Sequence, residues 1–498
     1  MLGSPVPNNA STAMKVFVAI ANHGIKNDKF LKALLAEYAS MPYDVHVSVL
    51  TNVPKDLGSD IEVVMHTPQG NPWAFPFAHK RILADRVHDY DLFIYSEDDT
   101  LITKRNIEAF LRVTQVLPDN EIAGFIRSER TPAGTINFST VHGHFHWDPF
   151  SVVSRGGYTF AFFTNEHSAA YILTRAQLKR VIASGRFLVG PHEGKYALPE
   201  TAATDPYTQC GLRKMICISE IDDFVLPHLP NKYVDKFGLS DVEFSAQLRA
   251  LQAILDKVRP ATVLMKSETN LMHLKWSKSY YEPPRRDVLQ LIPTNAHTLL
   301  SFGCGSGEIE GELKKRGLDV SAVALDSVIG ICAEAKGVNI VYGNCATALA
   351  ALSNKRFDCV LVSNILHLIP EPELLLSSLR ALLIEGGIII AIVPNLSQLP
   401  VLWHRFTGQP GHENLGDFNR VGIHETSYRI IVKWFSTVGL KVAKSIPVLP
   451  RRAKRVSSIL GRLVDRSLAS EFVVVGTADQ ASVADPAASG TASSYQTA

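Results

Sequence analysis

The first two hundred residues contain no cysteine. The six present, Cys210, Cys217, Cys304, Cys332, Cys345 and Cys359, make no C-x-x-C pair. That excludes a dense disulfide framework and a zinc ribbon, and predicts a reduced, cytoplasmic protein. An excess of charge is missing too: 50 basic against 48 acidic residues leave a formal net charge of +2. No global field grips nucleic acid, so specificity has to come from local sites. Long apolar runs are also absent. The longest, such as GGIIIAIVPN over 386–395, have strand length, and the start of the chain lacks a basic segment followed by a long apolar one. No internal repeat stands out.

What is present is 498 residues of 46% hydrophobic content, too long for one ordinary core. Residues 1–13 are polar and rich in Pro, Asn and Ser, and residues 479–498 have almost no large apolar side chains, so both read as disordered tails. From Lys15, strand-like runs (KVFVAIAN, YDVHVSVLTN, DLFIYSE) alternate with helical ones, which predicts a largely parallel α/β sheet in a first domain over 14–245. The stretch EFSAQLRALQAILDKVR then leads into an expected helical linker over 246–276. A second, different α/β domain covers 277–478, and its last two strands, LKVAKSIPV and SEFVVVGT, are able to pair as a hairpin.

In the second domain, SFGCGSGEIEGELKKRG follows a strand and opens a helix, with Gly303, Gly305 and Gly307 removing side chains where a ligand approaches the backbone. The next strand ends in Asp326, placed to accept hydrogen bonds from a ribose diol. Together they imply a nucleoside-bearing cofactor. With YGNC, FDCVLVSNILHLIPEPE and GIHETSYRIIVKWF following in order, the last two hundred residues resemble the class I S-adenosylmethionine-dependent methyltransferases. The resemblance implies a Rossmann-like, seven-stranded sheet with a terminal hairpin. It also implies that S-adenosylmethionine lies against Gly303, Cys304, Gly305 and Gly307, with its ribose on Asp326, its adenine by Gly343 and Asn344, and its methyl group near Ser363 and Asn364. Two departures stand out: Ser301 and Asn344 occupy places where the family usually has acids. If an oxygen is methylated a general base helps, and His367 and His424 are the candidates nearest the sheet's carboxyl edge, although a lone histidine at such a junction more often packs or caps. The basic stretch RRAKRVSSILGRLVDR suits an anionic membrane or glycan, or equally a solvated lid helix.

The first domain poses a different question, because the apolar run Leu92–Ile94 leads into three adjacent carboxylates, Glu97, Asp98 and Asp99. Asp98, Asp99 or Thr103 could cap the following helix, but a cap explains one residue. Three adjacent acids repel one another, and a divalent cation, Mg²⁺ or Mn²⁺, would neutralise them. The segment resembles the acidic element of GT-A glycosyltransferases, which bind nucleotide sugars. By that resemblance Asp99 and the late His228 hold the metal, Glu97 and Asp98 face the donor, and Asn22 meets the nucleotide base. Glu200 and Asp205 are then the candidate catalytic bases. In VHGHFHWDPF, His142, His144 and His146 at alternating positions of a strand could take a transition metal, but no further ligands stand nearby in sequence and a Gly-, Trp- and Pro-rich loop near the acceptor is the favoured reading.

The combined expectation is a bifunctional enzyme joining metal-dependent glycosyl transfer to methyl transfer, acting on a glycan or glycolipid acceptor at the cytosolic face of a membrane. The alternatives are a methyltransferase whose first domain only binds a nucleotide sugar or glycan, or one carrying a nucleotidyltransferase. A scaffold without activity is the non-enzymatic reading.

Overall fold

The computed structural model describes residues 13–234, 238–460 and 464–478, without the side chains of 456–460. Apart from Ala13, the two expected tails lie outside the described residues.

In the first domain a five-stranded sheet runs in the order Ala170–Thr174, Leu92–Glu97, Lys15–Asn22, Asp44–Thr51, Ile61–Met65. The last four strands are parallel and Ala170–Thr174 is antiparallel. Val16 to Ala21 are buried without alternation, because both faces of such a sheet are covered and polar side chains have nowhere to point. The helix Asp28–Ala39 covers one face through Leu31, Leu34 and Tyr38, spaced to share one stripe. Two four-stranded sheets extend the domain, one of Glu121–Ala123, Arg213–Cys217, Tyr158–Ala161 and Val153–Arg155, the other of Val225–Pro227, Ile126–Arg130, Ile136–Phe138 and Leu239–Ser240.

The second sheet has the order Asn339–Val341, Asp319–Ala324, Thr298–Cys304, Phe357–Ser363, Leu383–Pro394, Glu471–Ala478, Leu440–Val448. Every strand is parallel except Glu471–Ala478, which is antiparallel to both neighbours. The expected seven strands and closing antiparallel pair are therefore present. Strand order reverses at Thr298–Cys304, where ligands bind in open α/β sheets.

The linker is not the long helix expected. A helix covers Asp241–Leu255, started by a Ser240–Glu243 capping box, and stops there. Lys257 takes a left-handed φ of 60°, and Pro260 three residues later disfavours helix at the residue before it. The chain then crosses the edge of the second sheet as a strap: Val263 bridges to Asp326, and the Leu264 N–H donates to the Leu325 carbonyl at 2.8 Å. The two domains share apolar packing, with Phe244 and Leu251 in one cluster with Val328.

Candidate active sites

At the switch point, Gly303 and Gly307 hold φ values of +91° and +79° that side chains resist. The space a Cβ would fill is taken by the protein itself: Ile365 beside Gly303, Ala333 beside Gly307, and the Tyr280 carbonyl beside Gly305. That carbonyl also accepts from the Ser306 N–H at 2.8 Å. The glycine loop is thus shaped as much by the strap above it as by any ligand, and Cys304 within it is buried.

Asp326 is buried, and its Oδ1 accepts from the Val328 and Ile329 N–H groups at 2.7 Å each. Its Oδ2 is buried with no hydrogen-bond partner among the described residues. An orphaned buried carboxylate oxygen is costly, and a hydroxyl donor from a bound ribose would satisfy it. Burial raises the Asp326 carboxyl to about 6, against an opposing pull from His146.

The acid missing at Ser301 is supplied from elsewhere, since the Ser301 hydroxyl donates to the buried Glu310 at 2.6 Å. Ser363 donates to Glu282 at 2.8 Å, and the buried Lys278 ammonium pairs with the same carboxylate oxygen at 2.6 Å. Glu282 and Ser363 face the glycine loop across one small pocket. Neither Glu282 nor Glu310 was picked out from sequence. The i,i+4 spacing of Lys278 and Glu282 was the available signal for one, and nothing in EIEGELKK singled out the other.

Three expectations here are corrected. Asn344 is exposed and accepts from the Thr347 N–H, so its carboxamide oxygen serves as a helix cap. His367 is fully buried; its Nε2–H donates to the Trp276 carbonyl at 2.8 Å, and burial pushes its imidazole down to about 4. The His424 Nε2–H likewise donates to the carbonyls of Ile369 and Pro370. Each histidine thus spends one ring nitrogen on backbone, and the other nitrogen of His367, Nδ1, is buried without a partner; what makes His367 a weak proton acceptor is the burial that pushes it down. Gly343 has a φ of +144°, and Asn364, with a φ of 52°, keeps a buried, unpartnered Oδ1 at the end of its strand.

In the first domain Thr103, not an aspartate, caps the helix Lys104–Thr114. Asp98 and Asp99 are therefore free for other work. The Asn22 amide donates to Asp98 at 2.7 Å and is itself fully buried, so it positions the acid and does not meet a base. Asn27, missed in the sequence, donates to Asp98 and Asp99. Burial raises Asp98 to about 6 and Glu97 to about 8, the latter helped by Asp99 and opposed by Arg127. Burial also acts on Asp99, but the His228 imidazole and the Lys232 ammonium outweigh it and hold that carboxyl below its usual value.

His228 reaches this corner from 129 residues along the chain, with its Nε2 3.5 Å from Asp99 Oδ2. Its Nδ1 lies 2.6 Å from Glu129, whose other oxygen accepts from the Tyr233 and Val234 N–H groups. The His228 ring thus lies between two carboxylates, Glu129 and Asp99, and Asp99 Oδ1 is buried without a partner. A divalent cation would reconcile these groups, since adjacent ligands of an octahedral ion at ~2.1 Å lie about 3 Å apart. No group of three or more His, Cys, Asp or Glu side chains able to hold a metal exists among the described residues. Asp99 and His228 are thus at most two protein ligands, leaving the other positions to water or phosphate oxygens. Beside them a cavity of about 300 Å³ is walled by Trp73, Phe75, Asp98, Asp99 and Lys232.

Of the two candidate bases, Glu200 sits near the acids: its charge is felt by Glu97, and its Oε2 is buried and unpartnered. Asp205 is corrected. It has no exposed surface and is paired with the buried Lys80 ammonium, so it braces the helix Leu198–Thr208 against the segment at Lys80.

The VHGHFH segment is a loop, as favoured from the sequence, so its histidines do not share a strand face. His146 stacks on Tyr280 at 4.1 Å with ring planes 3° apart, and the Gly143 carbonyl accepts from the Tyr280 N–H at 2.7 Å. A loop of the first domain thereby presses on the residue whose carbonyl contacts the glycine loop of the second.

Residues 278–445 match the family model described as a methyltransferase domain. A ubiquinone biosynthesis O-methyltransferase of Cereibacter sphaeroides (strain ATCC 17029 / ATH 2.4.9) is 30% identical over 114 residues, which are 22% of this chain and 46% of that protein. The chain thus spans about half the length of the first curated relatives it matches. An uncharacterized methyltransferase of Mycobacterium tuberculosis (strain ATCC 25618 / H37Rv) is 29% identical over 138 residues, 27% of this chain and 68% of that one. Among solved structures, an S-adenosylmethionine-dependent methyltransferase from Archaeoglobus fulgidus is similar at 15% identity and a TM-score of 0.30, over 39% of this chain and 90% of that one. Residues 278–445 are a methyltransferase domain by their family match, carried on the doubly wound seven-stranded sheet described above.

Proposed function

We propose that the second domain transfers a methyl group from S-adenosylmethionine to an oxygen of a glycan or glycolipid, and that the first domain is a metal-assisted, nucleotide-sugar-dependent glycosyltransferase of GT-A type. The observation that carries the first half is Asp326 at the switch point, with one carboxylate oxygen spent on backbone N–H groups and the other buried and waiting for a donor. The cofactor supplies an electrophilic methyl on a sulfonium, and the enzyme's main task is to align the acceptor with it. Asp326 would hold the ribose. Glu282, fixed by Lys278 and Ser363, is the carboxylate that faces the glycine loop and would bind the ammonium of the methionine end.

For the first domain, the supporting observation is the meeting of Asp99 and His228 beside a cavity of donor-site dimensions. A divalent cation there would offset charge on a departing diphosphate. Glu129 orients His228, Asn22 and Asn27 orient the acids, Lys232 adds positive charge, and Glu200 is the base candidate left once Asp205 is committed to Lys80. Tethering the two activities raises the effective concentration of one product at the other's site. The test is a screen of nucleoside diphosphate sugars with Mn²⁺ and wild-type or Asp99→Ala protein. Metal-dependent release of nucleoside diphosphate by the wild type alone supports glycosyl transfer. Release of pyrophosphate would indicate a nucleotidyltransferase, and binding without turnover would leave the first domain a binding module.

A further inference from the structure

The helix Leu399–Phe406 leaves the carboxyl end of the strand Leu383–Pro394 with one face anchored and one bare. Val401 is buried and Arg405 pairs with Glu425 at 2.8 Å. On the other side Leu399, Leu402, Trp403 and Phe406, spaced i, i+3, i+4 and i+7, are 51%, 40%, 62% and 84% exposed. Four large apolar side chains on one helical stripe form a patch that water does not favour.

The segment beside it is strongly cationic. From Leu440 to Val464 the chain carries seven Lys and Arg and no acid, and Arg451, Arg452, Lys454 and Arg455 are exposed on the helix Arg451–Leu460. Pairing fixes where it lies. Pro394 pairs with Glu471, and Glu471 with Val448, so the 449–470 connection emerges at the same sheet edge as the apolar helix. The Asn395 amide ties the two together by donating to the carbonyls of Arg466 and Ala469. Asp326 and the glycine loop end their strands at this edge as well.

We propose that this edge docks on an anionic lipid bilayer, with Trp403, Phe406 and the two leucines entering the headgroup–acyl boundary and the 451–455 cations meeting lipid phosphates. An aromatic and leucine stripe beside an acid-free basic helix fits that occupant by charge and by shape. A protein partner would need acidic complement for the basic helix, and a second copy of this chain presents the same positive charge. No helix among the described residues is long and apolar enough to cross a membrane, so the contact is peripheral. Docking turns the cofactor edge toward lipid headgroups, but it does not rest on the transfer reactions and is read without turnover.

The test is co-sedimentation of the full chain with phosphatidylglycerol/phosphatidylcholine vesicles and with pure phosphatidylcholine vesicles. Wild-type protein is expected on the anionic vesicles only. Trp403→Ser with Phe406→Ser, and separately Arg451→Glu with Arg452→Glu, are each expected to weaken retention by about tenfold or more, with cofactor affinity and circular dichroism unchanged. Equal retention on neutral vesicles, no retention of wild type, or a dimer in gel filtration that the Trp403/Phe406 variant dissociates would overturn the proposal.

Discussion

Asp326 faces two opposing demands. Burial favours its protonated form and raises it to about 6, whereas a ribose diol donating to it favours the carboxylate. For stability the sign is that of a raised pKa: the contribution is present below the unfolded value near 4 and is lost as pH rises through about 6. For ligand binding the sign reverses, and affinity for S-adenosylhomocysteine is expected to climb as pH rises from 5 to 7, as read by calorimetry. Asp326→Asn should bind roughly tenfold more weakly and lose that pH dependence, about one lost charge-assisted hydrogen bond. Asp205 gives the opposite kind of prediction. Removing it strands the buried Lys80 ammonium, so Asp205→Ala should lower stability by about 3–5 kcal/mol in chemical denaturation. Glu200→Ala should leave the melting temperature nearly unchanged while reducing glycosyl transfer. At this scale the sequence showed where restrictive residue types fall, placing the 97–99 acids and Asp326 at the ends of strands, as the structure has them. It was not legible where several residues could play one part: Asp98, Asp99 and Thr103 all make good caps, and only the fold shows that Thr103 takes the position.

At the scale of elements, the strap over 256–285 decides the most. Its helical expectation failed because Lys257 and Pro260 end the helix, and because backbone pairing with Leu325 and Asp326 competes with helix for the same N–H groups. Local periodicity carries no information about such long-range pairing. The strap gives Gly305 its meaning, since any Cβ there meets the Tyr280 carbonyl, a backbone atom that cannot rotate away. Gly305→Ala is expected to displace the strap and weaken cofactor binding at least about tenfold, more than a surface substitution would. His146→Ala removes the ring stacked on Tyr280 from a domain that does not contain the cofactor loop. It should raise the Kd for S-adenosylhomocysteine several-fold, and His146→Phe, which keeps a stacking ring, should restore most of it.

For the whole molecule, two α/β series and their order were legible because hydrophobic strand runs and glycine turns are local signals. The contact between the domains was not, since it depends on which surfaces of two folded units face each other. Phe244, Leu251 and Val328 bury one another across the expected boundary, so separate melting of the two domains is not expected. Scanning calorimetry should show one main transition that S-adenosylhomocysteine moves upward as a whole, because a ligand bound to the native state stabilises everything that unfolds with its site.

The proposed role of the second domain stands or falls on an S-adenosylmethionine site built on Asp326. Calorimetric titration of S-adenosylhomocysteine into the full chain and into Asp326→Ala tests it most directly. One site per chain, with affinity reduced at least about tenfold in the variant, is the expected result; no binding by the wild type, or equal binding by both proteins, would contradict that site.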